Sequence, residues 1–196
     1  MNRPRAVRSA RSALLACAVL LASFALGERS ACAAEPSATD KPGADGWYDA
    51  APPDGSFRVR GPLPFQSYAQ HAKGKSNQDV LTQGVRASQP GAFDAVTKFL
   101  ASCTIDPSDR RGDKARIEAN FVKWAAQVEP AYRRPIEVGK FPGVEFQMGD
   151  PKKTLRVRII AGPQRICTLF VQWNAYSKPS DADIDRFLGS FAFTNR

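Results

Sequence analysis

Few residues of this chain have the types and spacing that chemistry needs. His71 is the sole histidine, so a Ser–His–Asp or Cys–His nucleophile would have to be built on it. It opens a polar stretch, His71 to Asp79 (HAKGKSNQD), with no nucleophile motif beside it, and reads as a solvated turn residue. One histidine and widely spaced cysteines do not supply zinc-ligand spacing, and no C-x-x-C is present. Glu137 and Glu145 flank Pro142-Gly143. Two carboxylates about 5–10 Å apart would suit glycoside hydrolysis, but no neighbouring residue signals a sugar cleft. Neither a GxGxxG run nor a P-loop occurs. The sequence thus names no catalytic residue, no cofactor-binding residue and no metal ligand.

Two other constellations stand out. Cys103 and Cys167 are the two cysteines outside the N-terminal segment, and in an oxidising compartment they form a natural pair. Cys103 ends an expected helical stripe and Cys167 lies on an expected strand, so a helix-to-strand disulfide is the first reading. Two buried thiols come second and a redox-active thiol third. Lys152, Lys153, Arg156, Arg158 and Arg165 cluster around one expected hairpin, with Arg133 and Arg134 as further basic residues. They are either a solvated sheet face or a contact for an anionic partner: envelope polymer, lipid headgroups or an acidic protein surface.

The N-terminus reads as an export signal. Arg3, Arg5, Arg8 and Arg11 precede an apolar run from Leu14 to Leu26, and small residues Ala31-Cys32-Ala33-Ala34 follow. A run of about 13 residues suits a signal h-region and is short for a transmembrane helix, which needs about 20. Cleavage is expected before Ala34 or Glu35. A retained membrane anchor and lipidation at Cys17 or Cys32 are the alternatives. Glu28 and Arg29 break the lipidation pattern before Cys32. The 1–34 segment holds five arginines and one glutamate, so its removal lowers the net charge from +9 to +5. That weakens any argument for nucleic acid, as export does. The expected location is the periplasm or the medium, with no transmembrane span in the mature chain.

After the signal, residues 35–46 read as a flexible leader, and 47–196 as one domain with enough length for a core. Extended segments are expected at Phe57-Arg58-Val59, Phe65 to Tyr68 and Val80 to Ala87. Pro90 to Cys103 reads as a helix, because Phe93, Val96, Leu100 and Cys103 recur at three- and four-residue steps. Asp106-Pro107 resembles a helix start, and a second helix carries Ile117, Phe121, Trp124 and Val128, stopped by Pro130. Strands follow at Ile136 to Val138, Val144 to Met148, Leu155 to Ile159 and Ile166 to Trp173. A closing helix over Asp181 to Leu188 leads to Ser190-Phe191-Ala192-Phe193.

This order resembles the Mog1/PsbP-like superfamily of small extracytoplasmic domains. The resemblance is carried by Asp54-Gly55-Ser56-Phe57-Arg58-Val59 with Pro62 and Pro64, and by Phe141-Pro142-Gly143-Val144-Glu145-Phe146. The Arg156 to Ile159 strand, the Gly162 turn, the strand to Trp173 and Arg186-Phe187-Leu188-Gly189-Ser190-Phe191 complete it. It implies an α+β fold, an antiparallel sheet packed between helices in an α/β/α sandwich, and an accessory or binding style of function. The expected function is a non-enzymatic exported binding module for a protein or an anionic envelope surface. The alternatives are a hydrolase without a linear signature and a structural envelope component.

Overall fold

Two-residue alternation of buried and outward residues marks the central strands of this chain. In a computed structural model, described over residues 41–74, 77–90 and 96–194, ten strands and two helices are present. The signal segment and most of the leader lie outside the described residues. Three strands form a small sheet: β1 Tyr48–Ala50, β2 Phe57–Gly61 and β10 Ala192–Phe193, in the order β1-β2-β10. Seven form the main antiparallel sheet: β3 Gln66–Lys73, β4 Asp79–Pro90, β5 Val96–Ile105, β6 Tyr132–Val138, β7 Phe141–Asp150, β8 Lys153–Gly162 and β9 Arg165–Trp173. Their order is β3-β4-β5-β9-β8-β7-β6.

That order is two meanders joined side by side. The first, β3-β4-β5, and the second, β6-β7-β8-β9, meet where β9 pairs with β5. The link from β5 to β6 must therefore cross from the middle of the sheet to its far edge, about four strand spacings or roughly 19 Å. Helix α1, Asp113–Ala125, spans about 20 Å at the normal rise and makes most of that crossing. Its Ile117 and Phe121 pack with Val144, Phe146, Val157 and Ile159 of β7 and β8. Arg116 fastens it further, donating to the carbonyls of Gly162 and Arg165 at the β8–β9 turn.

Segments before β3 and after β9 cover the opposite face. The small sheet and helix α2, Asp181–Gly189, bring Phe57, Val59, Ile184, Phe187 and Phe191 onto Phe99, Ala101, Leu169 and Val171. Ser180 caps α2, accepting from the Asp183 amide at 3.0 Å. The described residues ahead of Trp47 are tied to the domain: the Gly43 amide donates to the Trp47 carbonyl at 2.8 Å, and Asp45 accepts from Arg60 at 3.0 Å.

The α+β sandwich with a sheet packed between helices is corrected by this architecture, which is predominantly antiparallel β. The difference is sharpest in the helix expected over Pro90 to Cys103: Phe93 lies outside the described residues, and from Val96 on the helical spacing of Val96, Leu100 and Cys103 masks an alternation. Thr97, Phe99, Ala101 and Cys103 are buried, whereas Lys98, Leu100, Ser102 and Thr104 point the other way. Pairing with β4 on one side and β9 on the other completes the backbone hydrogen bonding of β5, which no local helical preference matches. Asp106-Pro107 starts a turn, not a helix: the Asp106 carboxylate accepts from the Ser108 amide at 3.0 Å. Val128 lies beyond the end of α1 and is exposed. His71 belongs to β3, and the turn after it is shorter than HAKGKSNQD suggested.

Candidate binding face on the main sheet

Among the described residues, one connection crosses the face of the main sheet that carries α1. The β3–β4 and β4–β5 links join neighbouring strands, and among the described residues no helix or further strand lies over that face at β3, β4 and β5. Side chains there come from the even-numbered residues, in register with one another: Gln66 opposite Arg86, Arg86 opposite Leu100, Leu100 opposite Phe170. One step along, Ser88 faces Lys98 and Lys98 faces Gln172. These residues border an open cleft of about 660 Å³. Phe170 forms its inner wall and is backed by Trp124 of α1, ring centroids 6.0 Å apart.

The chemistry of this face is one-sided. Every outward residue of β3, β4 and β5 on it is neutral or basic; none is Asp or Glu. Arg86 and Lys98 are exposed and sit diagonally across the β4–β5 pair, about 7–8 Å apart at the backbone. Among the described residues neither has a carboxylate within salt-bridge distance. Tyr68 lies across Gly84: a Cβ at Gly84 would come within 2.8 Å of the phenol ring and 2.7 Å of the Ala101 carbonyl. The missing side chain is what lets the ring lie down. Burial raises the Tyr68 phenol above its usual 10, against the opposing hydrogen bond from Ser102. The Arg86 guanidinium stands 5.8 Å from the ring centroid.

The five basic residues singled out from the sequence do not come together. Arg156 and Arg158 share a face of β8, as alternation requires, but it is the face beneath α2. There they surround Glu145, which is 0% exposed. Arg158 Nε donates to Glu145 Oε2 at 2.7 Å, Arg156 Nη2 to Oε1 at 3.0 Å, Arg134 Nη2 to Oε1 at 2.6 Å, and the Tyr132 hydroxyl to Oε1 at 3.0 Å. Arg158 also donates to the Leu188 carbonyl, and Arg156 pairs with Asp185, so the cluster holds α2 to the sheet. Burial alone would push the Glu145 carboxyl up; hydrogen bonding to Arg158 and the charges of Arg158 and Arg156 hold it down, to about 2. Arg165 reaches Asp54 at 3.5 Å. Lys152 and Lys153 sit at the opposite end of β8, about 30 Å away along a ten-residue strand.

Glu137 and Glu145 fall on opposite faces of the sheet, since Glu137 is opposite Pro142 and Glu145 is an odd number of residues further along β7. No acid/base pair forms from them. His71 is exposed on the edge strand β3. Among the described residues no cluster of His, Cys, Asp and Glu has metal-binding geometry.

Cys103 and Cys167 are at disulfide distance, with Cα atoms 4.0 Å apart. They are directly opposed on β5 and β9, so the bridge staples strand to strand across the seam of the two meanders, not helix to strand. Among the described residues no helix is long and apolar enough to cross a membrane. Both findings are compatible with an exported chain.

Sequence reasoning missed Tyr68, Arg86 and Lys98 as a set. The usable signal was the alternation in Thr97 to Thr104, which makes β5 a strand and puts Lys98 beside Arg86. Comparison of the chain with family models, with curated proteins and with solved structures gave no match in any of the three.

Proposed function

We propose that this chain is an exported, non-enzymatic binding module whose contact surface for an anionic partner is the open half of the main sheet. One observation carries the reading: a sheet face that no described element covers beside α1 presents Arg86 and Lys98 with no acidic residue among the outward side chains of its strands. Cations with no carboxylate partner among the described residues keep their field for an external one. The export signal in 1–34 and the cysteine pair support a location outside the cytoplasm.

The basic residues Arg156 and Arg158 are excluded from this role, because they are spent on Glu145 and Asp185. The test is co-sedimentation of the protein with anionic cell-envelope material at low and at high salt, for the wild type and for Arg86→Ser/Lys98→Ser. Binding that weakens in the variant and loses its salt sensitivity supports the reading, since exposed charge contacts are screened within about 10 Å at 0.1 M salt. Equal binding by both proteins refutes it.

A further inference from the structure

We infer that the partner of this face is a linear glycan bearing carboxylate groups; the inference rests on reading the face as a binding surface for an anion. The reason is the ratio of hydrogen-bonding groups to charges. Around Arg86 and Lys98 stand the amides of Gln66 and Gln172 and the hydroxyl of Ser88, all bordering the same cleft. They come from four neighbouring strands and form a grid with a pitch of about 4.8 Å across the strands and about 6.8 Å along them. Such a grid fits a ligand that offers hydroxyls at every step and a negative charge only at intervals.

Tyr68 adds the feature that separates this ligand from other anions. Its ring lies along the sheet over Gly84 and not upright, which makes it a flat surface beside the Arg86 guanidinium. A flat aromatic surface receives the apolar face of a sugar ring and gives a polyphosphate nothing to stack. Anionic membranes are matched no better: the exposed large apolar side chains among the described residues are Val122, Val128 and Tyr176, none of them on this face, so nothing there anchors in acyl chains. A protein interface would be centred on an extended patch of desolvated aromatic and aliphatic side chains, whereas the apolar part of this cleft, Leu100 and Phe170, is bordered by the amides of Gln66 and Gln172, the Ser88 hydroxyl and the two cations.

The experiment measures binding of the full-length, disulfide-intact protein by isothermal titration or fluorescence anisotropy. The probes are polygalacturonate oligomers, neutral dextran, polyphosphate and phosphatidylglycerol vesicles. Polygalacturonate should bind best and dextran should not compete. Tyr68→Leu, which still covers Gly84 but removes the ring, should weaken polygalacturonate binding at least about fivefold, as loss of a contacting aromatic anchor does. Arg86→Ser/Lys98→Ser should weaken it similarly and flatten its salt dependence. Polyphosphate or vesicles binding as well as polygalacturonate, with Tyr68→Leu without effect, would overturn the glycan while leaving an anion-binding face. Binding of no probe, or binding indifferent to Arg86→Ser/Lys98→Ser, would overturn the face itself. Circular dichroism and melting of each variant separate lost contacts from lost structure.

Discussion

Replacing Glu145 with Gln removes a fully buried charge from the ionic cluster beneath α2, and its cost can be worked from the geometry. The carboxylate is fully buried and accepts from Arg134, Arg156, Arg158 and Tyr132. Its pKa falls from the usual 4.5 to about 2, and each unit is worth about 1.36 kcal/mol, so the ionised form contributes about 3 kcal/mol. Breaking a buried ion pair from one side costs about 3–5 kcal/mol, which agrees. Arg134 is half exposed, at 55% for its side chain, and adds little to this; Arg156 and Arg158, at 13% and 16%, supply most of it. The folded-state pKa is depressed, so this stability is complete above the unfolded value and lost as pH falls through the folded one. The difference between wild type and Glu145→Gln, measured by urea unfolding, should be about 3–5 kcal/mol at pH 7. It should shrink below about pH 5 and be mostly gone near pH 2. The same difference at pH 7 and pH 2, or one under 1 kcal/mol at pH 7, would refute the account. So would an Arg156→Ser/Arg158→Ser protein as stable as wild type, which is the outcome an exposed basic patch requires.

The Cys103→Ser/Cys167→Ser protein should lose up to about 4 kcal/mol in urea unfolding, the chain-entropy figure for a bridge spanning 64 residues; thiol titration of the unfolded, unreduced wild type should find neither Cys103 nor Cys167 free. Gly84→Ala should lower the melting temperature and displace Tyr68, because its new methyl meets the Ala101 carbonyl and the phenol ring at under 3 Å; an unchanged melting temperature and unchanged tyrosine fluorescence would contradict that packing. Trp124→Ala should cost about 2 kcal/mol, less than the 3–5 kcal/mol of a fully buried aromatic, since Trp124 is half-buried edge-on to Phe146 and Phe170; a loss under about 0.5 kcal/mol would show that it does not hold α1 to the sheet.

Local pattern in the sequence determined the elements whose period is unambiguous. The alternation of Leu155 to Ile159 and of Ile166 to Trp173 marks strands wherever they pair. The Ile184, Phe187, Leu188 stripe behind Ser180 marks a helix. The pairing of Cys103 with Cys167 was legible too, from cysteine arithmetic alone. Segment Val96–Ile105 was not, because Val96, Leu100 and Cys103 satisfy a helical period while Thr97, Phe99, Ala101 and Cys103 satisfy an extended one. Only the hydrogen bonds offered by β4 and β9, from residues up to about seventy positions away, settle that choice. The site followed the same division. Alternation correctly placed Arg156 and Arg158 on one face, but which face α2 would cover, and that Glu145 would lie beneath it, depends on strand order. Strand order likewise decides that one 13-residue helix crosses half of a seven-stranded sheet and leaves Arg86 and Lys98 exposed, with Tyr68 half-buried beside Arg86. A side chain's exposure is set by what packs on it from elsewhere in the chain, and that is a property of the topology, not of the residue's neighbours in sequence.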